Sequence, residues 1–339
     1  MSAARDPGAD AVLLVADIGG THARFALPRL RGRAIDMPEP SVFLTADHPH
    51  LEAALTLFLE KMERPVIAGV AVCAAGPVEG SGTEAHISMT NCPWDVTLDG
   101  LSRVTGVRRP RLMNDFAALA MSVPALSGGD LHHVAGVGTA IAGASAGILG
   151  PGTGLGVSAL VFETGHEIPV AGEGGHVDLA PAGEREAAII AHLHARHGHV
   201  SAERVLSGPG LVTLYEALKA LSGGEDTAPL TAPEIARRAL KGDCPVCVEA
   251  VRLFCGWLGA VAGNLALTIG ARGGIYIGGG IVPGWLAAAP GLFDESLFRA
   301  RFEAKGRFRS YLEQIPVFVI RRADPALLGL ARAAREAAG

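Results

Sequence analysis

The sequence carries one short pattern twice: an apolar strand, a glycine-rich turn with a threonine, and an apolar return strand. The first copy has a strand over residues 12–16, the turn Gly19-Gly20-Thr21 and a return over 23–27. The second has a strand at 147–150, the turn Gly150-Pro151-Gly152-Thr153-Gly154-Leu155-Gly156 and a return over 157–162. Short apolar runs bounded by glycine read as hairpins. Two hairpin-led halves, each continued by helices and further strands, predict a bilobal α/β protein with mixed sheets flanked by helices.

Downstream of the first hairpin, residues 51–62 have helical periodicity and 66–73 form another apolar strand. A short strand at 111–113 leads into Asn114-Asp115 and a helix to about 121. After the second hairpin the chain turns mostly helical, over 184–197, 209–221, 232–241 and 245–269. A strand ending at Ile277 opens into Gly278-Gly279-Gly280, and a last strand at 316–320 precedes a helix from Pro325. The lobe boundary is expected near 122–129. A first domain over 1–124 would be rejoined by the C-terminal helix 323–339, with the second domain over 125–322.

Charge and cysteine usage narrow the partners. The net charge is −5 with basic residues spread thinly, which is not the footprint of a nucleic-acid binder and offers no polybasic membrane contact. Five cysteines are an odd, sparse set for a disulfide framework and favour a reducing, cytoplasmic compartment. The apolar run at 12–16 is too short for a signal peptide. The uncharged stretch 253–271 is long enough to span a bilayer. Its Gly256, Gly259 and Gly263 suit close packing on a neighbour, so a buried core helix is expected.

Three turns could approach a nucleotide. Asp17-Ile18-Gly19-Gly20-Thr21 ends a strand in a carboxylate beside two glycines whose N–H groups could cradle phosphate oxygens. The carboxylate of Asp17 could hold Mg²⁺ through water, because Mg²⁺ keeps several of its waters. An ordinary hairpin turn explains the same residues. The second turn, Gly152-Thr153-Gly154, weakens that plain reading, since two lobes could then grip one polyphosphate. Gly279-Gly280, where a strand opens into a helix, suits close approach to a nucleotide or simple packing. No Gly-x-x-x-x-Gly-Lys-Ser/Thr occurs, and no Gly-x-Gly-x-x-Gly follows the first strand, so the P-loop and dinucleotide fingerprints are excluded.

Asn114-Asp115 sits where a strand meets a helix. Its carboxylate could take the proton of an attacking hydroxyl, or the pair could serve only as a helix N-cap. Gly172-Glu173-Gly174-Gly175-His176-Val177-Asp178 puts a carboxylate and an imidazole in a glycine-rich loop, better suited to hydrogen bonding a polyol than to metal. Asn91 and Glu203 lie in turn-like settings that do not fix their roles. Cys244-Pro-Val-Cys247 lacks partners for a four-ligand zinc site and reads as a helix start.

Taken together, Asp17-Ile-Gly-Gly-Thr21 with Ala23-Arg24, Met113-Asn114-Asp115-Phe116, Gly152-Thr-Gly-Leu-Gly156, Gly172-Glu-Gly-Gly-His-Val-Asp178 and Ser201-Ala-Glu-Arg-Val-Leu-Ser-Gly-Pro-Gly210 resemble the bacterial glucokinases, from about Val12 to the C-terminal helix. The resemblance implies the two-lobed actin-like ATPase fold, with a ribonuclease-H-like core in each lobe. It also implies ATP- and Mg²⁺-dependent phosphorylation of glucose at its 6-hydroxyl, with Asp115 as base. Asn91, Asn114, Asp115, Glu173, His176 and Glu203 would contact glucose. Ala16, Asp17, Ile18, Gly19, Gly20 and Thr21, with Gly152, Thr153, Gly154, Gly279 and Gly280, would hold ATP. A cytoplasmic homodimer serving glycolysis follows from the same likeness. His22 departs from the asparagine of many relatives and puts nucleotide affinity in question. Rivals are a kinase for mannose or an N-acetylated amino sugar, and a non-enzymatic ATP switch or sugar sensor. A sensor would be expected to carry an added helix-turn-helix, for which the residues before Val12 leave no room.

Overall fold

Residues 12–18 hold one charge among apolar neighbours and form β1 (Val12–Ile18), the middle of the first sheet. The computed structural model describes residues 11–32, 34–89, 92–223 and 228–338. These fall into two units: one holds the described residues up to Leu126 and those from Arg322 on, the other is Ser127–Arg321.

In the first unit, β1 turns into β2 (His22–Ala26), antiparallel with Asp17 opposite Arg24. The small pair β3 (Arg29–Arg31) and β4 (Ala34–Asp36) meets the start of β1, and β5 (Ser41–Leu44) adds to β2. Helix α1 (Leu51–Lys61) precedes β6 (Ile67–Ala74), which runs parallel to β1. A separate ribbon, β7 (His86–Ser88) and β8 (Asp95–Thr97), leads into α2 (Leu98–Thr105). Then β9 (Arg111–Asn114), parallel to β6, passes directly into α3 (Asp115–Ser122). Phe25, Phe43 and Phe58 meet in its core, with ring centroids 5.3–6.3 Å apart. Each such buried side chain contributes roughly 1.5–3 kcal/mol.

The second unit repeats the scheme around β11. β10 (Leu131–Ala135) comes first, then the hairpin of β11 (Ala146–Pro151) and β12 (Leu155–Glu163), extended by the edge strand β13 (His166–Gly172). Helices α4 (Glu184–His197), α5 (Gly208–Leu221), α6 (Ala232–Lys241) and α7 (Pro245–Ile269) follow. Strand β14 (Ile275–Ile277) lies parallel to β11, followed by α8 (Ile281–Ala288), α9 (Glu295–Glu303) and the short α10 (Arg309–Glu313). β15 (Val317–Ile320) completes the sheet, in the order β10-β15-β14-β11-β12-β13. In both units the hairpin supplies antiparallel neighbours on one side of the central strand, and crossovers supply parallel ones on the other.

Helix α7 is long and apolar enough to cross a membrane, and 67% of its apolar window is buried inside the unit, as in a core helix. A Cβ at Gly259 or Gly263 would run into the backbone of Phe298 or Phe302 on α9, so the glycine spacing sets how closely these helices approach. The final helix, α11 (Pro325–Ala338), belongs to the first unit. There Gly329 sits against the Ala118 carbonyl of α3, and Gly69 of β6 sits against Ala334. The pattern reading leaves α9, the ribbon and β13 unassigned, because these elements mix charge with apolar residues and have no clear period.

Candidate active site

In each unit a glycine turn lies at the carboxyl end of a strand with a parallel neighbour, where open α/β sheets present ligands. In the first unit the register sets Asp17 of β1 beside Cys73 of β6 and Met113 of β9, and Ile18 beside Ala74 and Asn114. The phosphate-turn candidate and the Asn114-Asp115 corner therefore lie one strand apart. Ala16 and Ile18 are buried and anchor the turn. Gly19 N donates to the His22 carbonyl at 2.9 Å. Thr45, itself buried, closes the turn from the side, donating from Oγ1 to the Gly20 carbonyl (2.9 Å) and from N to the Thr21 carbonyl (3.0 Å). The amides of Gly20 and Thr21 have no partner among the described residues.

Asp17 is half-buried. Burial raises its pKa, Cys73 and Arg24 oppose the rise, and the charge of Asp324 adds to it. The Cys73 thiol donates to Asp17 Oδ1 at 3.4 Å. Arg24 spends its Nε on Asp324 at 3.1 Å. A desolvated carboxylate beside free turn amides, with its neighbouring guanidinium engaged elsewhere, fits a hydrated divalent cation. Burial also drives the Cys73 thiol well above its usual range, with the charges of Asp17 and Asp115 adding, so this cysteine is a neutral donor and not a nucleophile.

Asn114 is the N-cap of α3: Oδ1 accepts from Phe116 N (2.9 Å) and Ala117 N (3.3 Å), while Nδ2 donates to the Gly76 carbonyl at 3.1 Å. The capping alternative thus holds for Asn114, which keeps one amide hydrogen for a ligand. Asp115 is the first helical residue; its Oδ1 accepts from Phe116 N at 2.9 Å, and the helix N-terminus favours its charge.

In the second unit Gly152, Thr153 and Gly154 form the bend between β11 and β12, closed by Gly152 N to the Gly154 carbonyl at 2.8 Å. Gly208 N, at the start of α5, donates to the Gly152 carbonyl at 2.8 Å, so this helix begins against the turn. The amides of Thr153 and Gly154 have no partner among the described residues. Gly279 has φ +74°, and its Cβ would stand 2.5 Å from the Pro151 carbonyl, so the Gly278–Gly280 turn lies back to back with the first.

Glu203 ties the sugar-loop candidates to this turn. Its Oε2 accepts from Leu155 N at 2.8 Å, its own N donates to the Gly175 carbonyl at 2.8 Å, and its Oε1 lies 3.9 Å from His176 Nε2. A Cβ at Gly175 would collide with the Leu155 carbonyl, so only glycine lets the loop come this close. Glu173 precedes and His176 ends a single 3₁₀ turn, Gly174–His176, and both are exposed. Asn91 lies outside the described residues. Cys244 caps α7, its sulfur accepting from Cys247 N at 3.3 Å. Sequence reasoning missed Thr45 and Cys73, neither of which has any local signal. It also passed over Ser207, which caps α5 through Gly210 N at 2.9 Å and was legible as a serine before Gly-Pro.

A family model described as Glucokinase matches residues 14–337. The chain is 48% identical over 328 residues to the glucokinase of Aromatoleum aromaticum, covering 94% of this chain and 93% of that protein. It is 46% identical over 318 residues to the glucokinase of Chromobacterium violaceum, covering 94% and 88%. Among solved structures, a glucokinase from an Antarctic psychrotroph superposes with TM-score 0.86 at 33% identity, over 96% of this chain and 99% of that one. A ROK family glucokinase from Streptomyces griseus, at 21% identity and TM-score 0.62 over 96% and 100%, shares the fold, which is that of the actin-like ATPases.

Proposed function

The chain belongs to the glucokinase family, and from that premise we propose that it transfers the γ-phosphoryl group of ATP to the 6-hydroxyl of glucose, with Asp115 as general base. The observation that carries this reading lies within the first unit: a turn with free amides and a desolvated carboxylate, one strand from a carboxylate at a helix N-terminus. Asp115 orients the hydroxyl and accepts its proton as the hydroxyl oxygen bonds the γ-phosphorus and the bond from that phosphorus to the ADP oxygen breaks, with ADP as the leaving group. The amides of Gly20, Thr21, Thr153 and Gly154 offset phosphate charge, and Gly279-Gly280 leaves room for the rest of the nucleotide. Asp17 would hold Mg²⁺ through its waters, and the ion when bound neutralises phosphate charge. Asn114, Glu173, His176 and Glu203 pair the remaining sugar hydroxyls, with Asn91 in the same role.

Such pairing makes the site selective, because an inverted hydroxyl leaves polar groups that the bound sugar covers without a partner. The described cysteines are all free thiols, which suits a cytoplasmic enzyme; a homodimer is part of the same reading. The test is a coupled assay with ATP against glucose, mannose and N-acetylglucosamine. Glucose should lead in kcat/KM by at least about 10²-fold. Equal turnover of mannose would refute the assigned hydroxyl contacts.

A further inference from the structure

The second unit contains a cavity of about 480 Å³ that none of the proposed chemistry uses. One face of α7 forms its floor, the segment after the sugar loop its wall, and the end of α9 its rim. Val157, Val177, Val261 and Leu265 make it largely apolar.

Its two cations are partnered differently. Arg301 is matched by Glu186, which it meets with both terminal nitrogens. Asp178 is held by His199 at 2.8 Å and points mostly to solvent. Lys305 has no carboxylate within ion-pair reach among the described residues. Its Nζ donates instead to the Ala260 carbonyl (3.1 Å) and to Asn264 Oδ1 (2.6 Å), leaving one hydrogen uncommitted. Burial and the charge of Arg301 both push its pKa down, as expected of an ammonium lacking a counter-ion.

We propose that this cavity is an effector site for a small monocarboxylate with an apolar body, its headgroup on Lys305 and its body against Val261 and Leu265. An ammonium with one uncommitted hydrogen and no carboxylate in reach matches a monocarboxylate better than a phosphate dianion, which would need several donors, and the lining suits hydrocarbon. Gly174, Val177 and Asp178 belong both to the cavity lining and to the loop that carries Glu173 and His176. An occupant therefore bears on the sugar residues. Binding itself does not depend on the kinase reading; the kinetic effect does.

Titration calorimetry on the whole protein would compare 4-methylpentanoate, its neutral amide and inorganic phosphate. The carboxylate should bind at least about tenfold tighter than the amide, as a charge-assisted hydrogen bond implies, and tighter than phosphate. Both Lys305→Gln and Ala304→Trp should abolish binding; Ala304 is exposed, so its variant tests the site even if Lys305→Gln fails to fold. With the carboxylate bound, the KM for glucose should shift at least about twofold while the KM for ATP stays fixed. No preference over the amide, equal binding of phosphate, or binding that survives Ala304→Trp would overturn the site. A change of oligomeric state in Ala304→Trp without probe binding would make this face an interface between copies instead. Binding with an unmoved glucose KM would overturn the effector role, whereas absence of any glucose kinase activity would instead refute the function proposed above.

Discussion

The two units place their functional groups by different means. In the first, Asp17, Asn114 and Asp115 stand at strand ends or on a helix cap, and a continuous parallel ladder through β1, β6 and β9 sets their spacing. In the second, Glu173, His176 and Glu203 lie in irregular backbone, held by hydrogen bonds from Glu203 N to the Gly175 carbonyl and from Leu155 N to the Glu203 carboxylate, and by a glycine that permits contact closer than any side chain would. Regular sheet gives precision cheaply, because neighbouring hydrogen bonds share the constraint. A knotted loop depends on a few contacts, and each of them is exposed to a single substitution. Catalytic groups in the first unit should thus be separable from stability, while the tether and the glycine that hold the second unit's loop should not.

The largest effect should come from Asp115→Asn, which lowers kcat by about 10²–10⁴, the span for losing a general base. Its melting temperature and glucose affinity should stay near those of the parent. Near-normal turnover would reduce Asp115 to a helix residue. Next comes Gly175→Ala, whose Cβ meets the Leu155 carbonyl. It should cost about 1–3 kcal/mol of stability and lower kcat/KM for glucose by roughly 10², because the loop and Glu203 move together. A stable Gly175→Ala enzyme with normal kinetics would end the contrast between the units.

Glu203→Gln keeps an acceptor for Leu155 N and should melt like the parent while weakening glucose binding about five- to tenfold. Glu203→Ala removes the tether as well and should also lose stability, which denaturant titration of the pair would separate. The smallest effect concerns Asp17. Burial raises its folded pKa above the unfolded value, so the charged form destabilises the fold above the unfolded pKa, and protonation relieves this as pH falls. Asp17→Asn, which retains an acceptor for Cys73, should therefore raise the melting temperature slightly near pH 7. The gain should fade as the solution is acidified toward the ordinary aspartate range. A lower melting temperature at neutral pH would mean that Arg24 compensates the buried charge fully.

Local chemistry alone determined much of this protein. Apolar runs ending in glycine specify both hairpins, Asn before Asp specifies the start of α3, and α7 is readable from its length and its glycines. The residue types for phosphate and sugar chemistry are present in the sequence as well. What only the tertiary structure decided are pairings between distant positions. Cys73 supports Asp17 across a parallel ladder, Glu203 reaches back to Leu155, and Lys305 meets Asn264 beside a cavity. Periodicity and capping act over a turn or two of chain, so they carry no information about partners dozens of residues away. Those partners are chosen by which strands pair and how closely glycine lets backbones approach, and both depend on the whole core being packed.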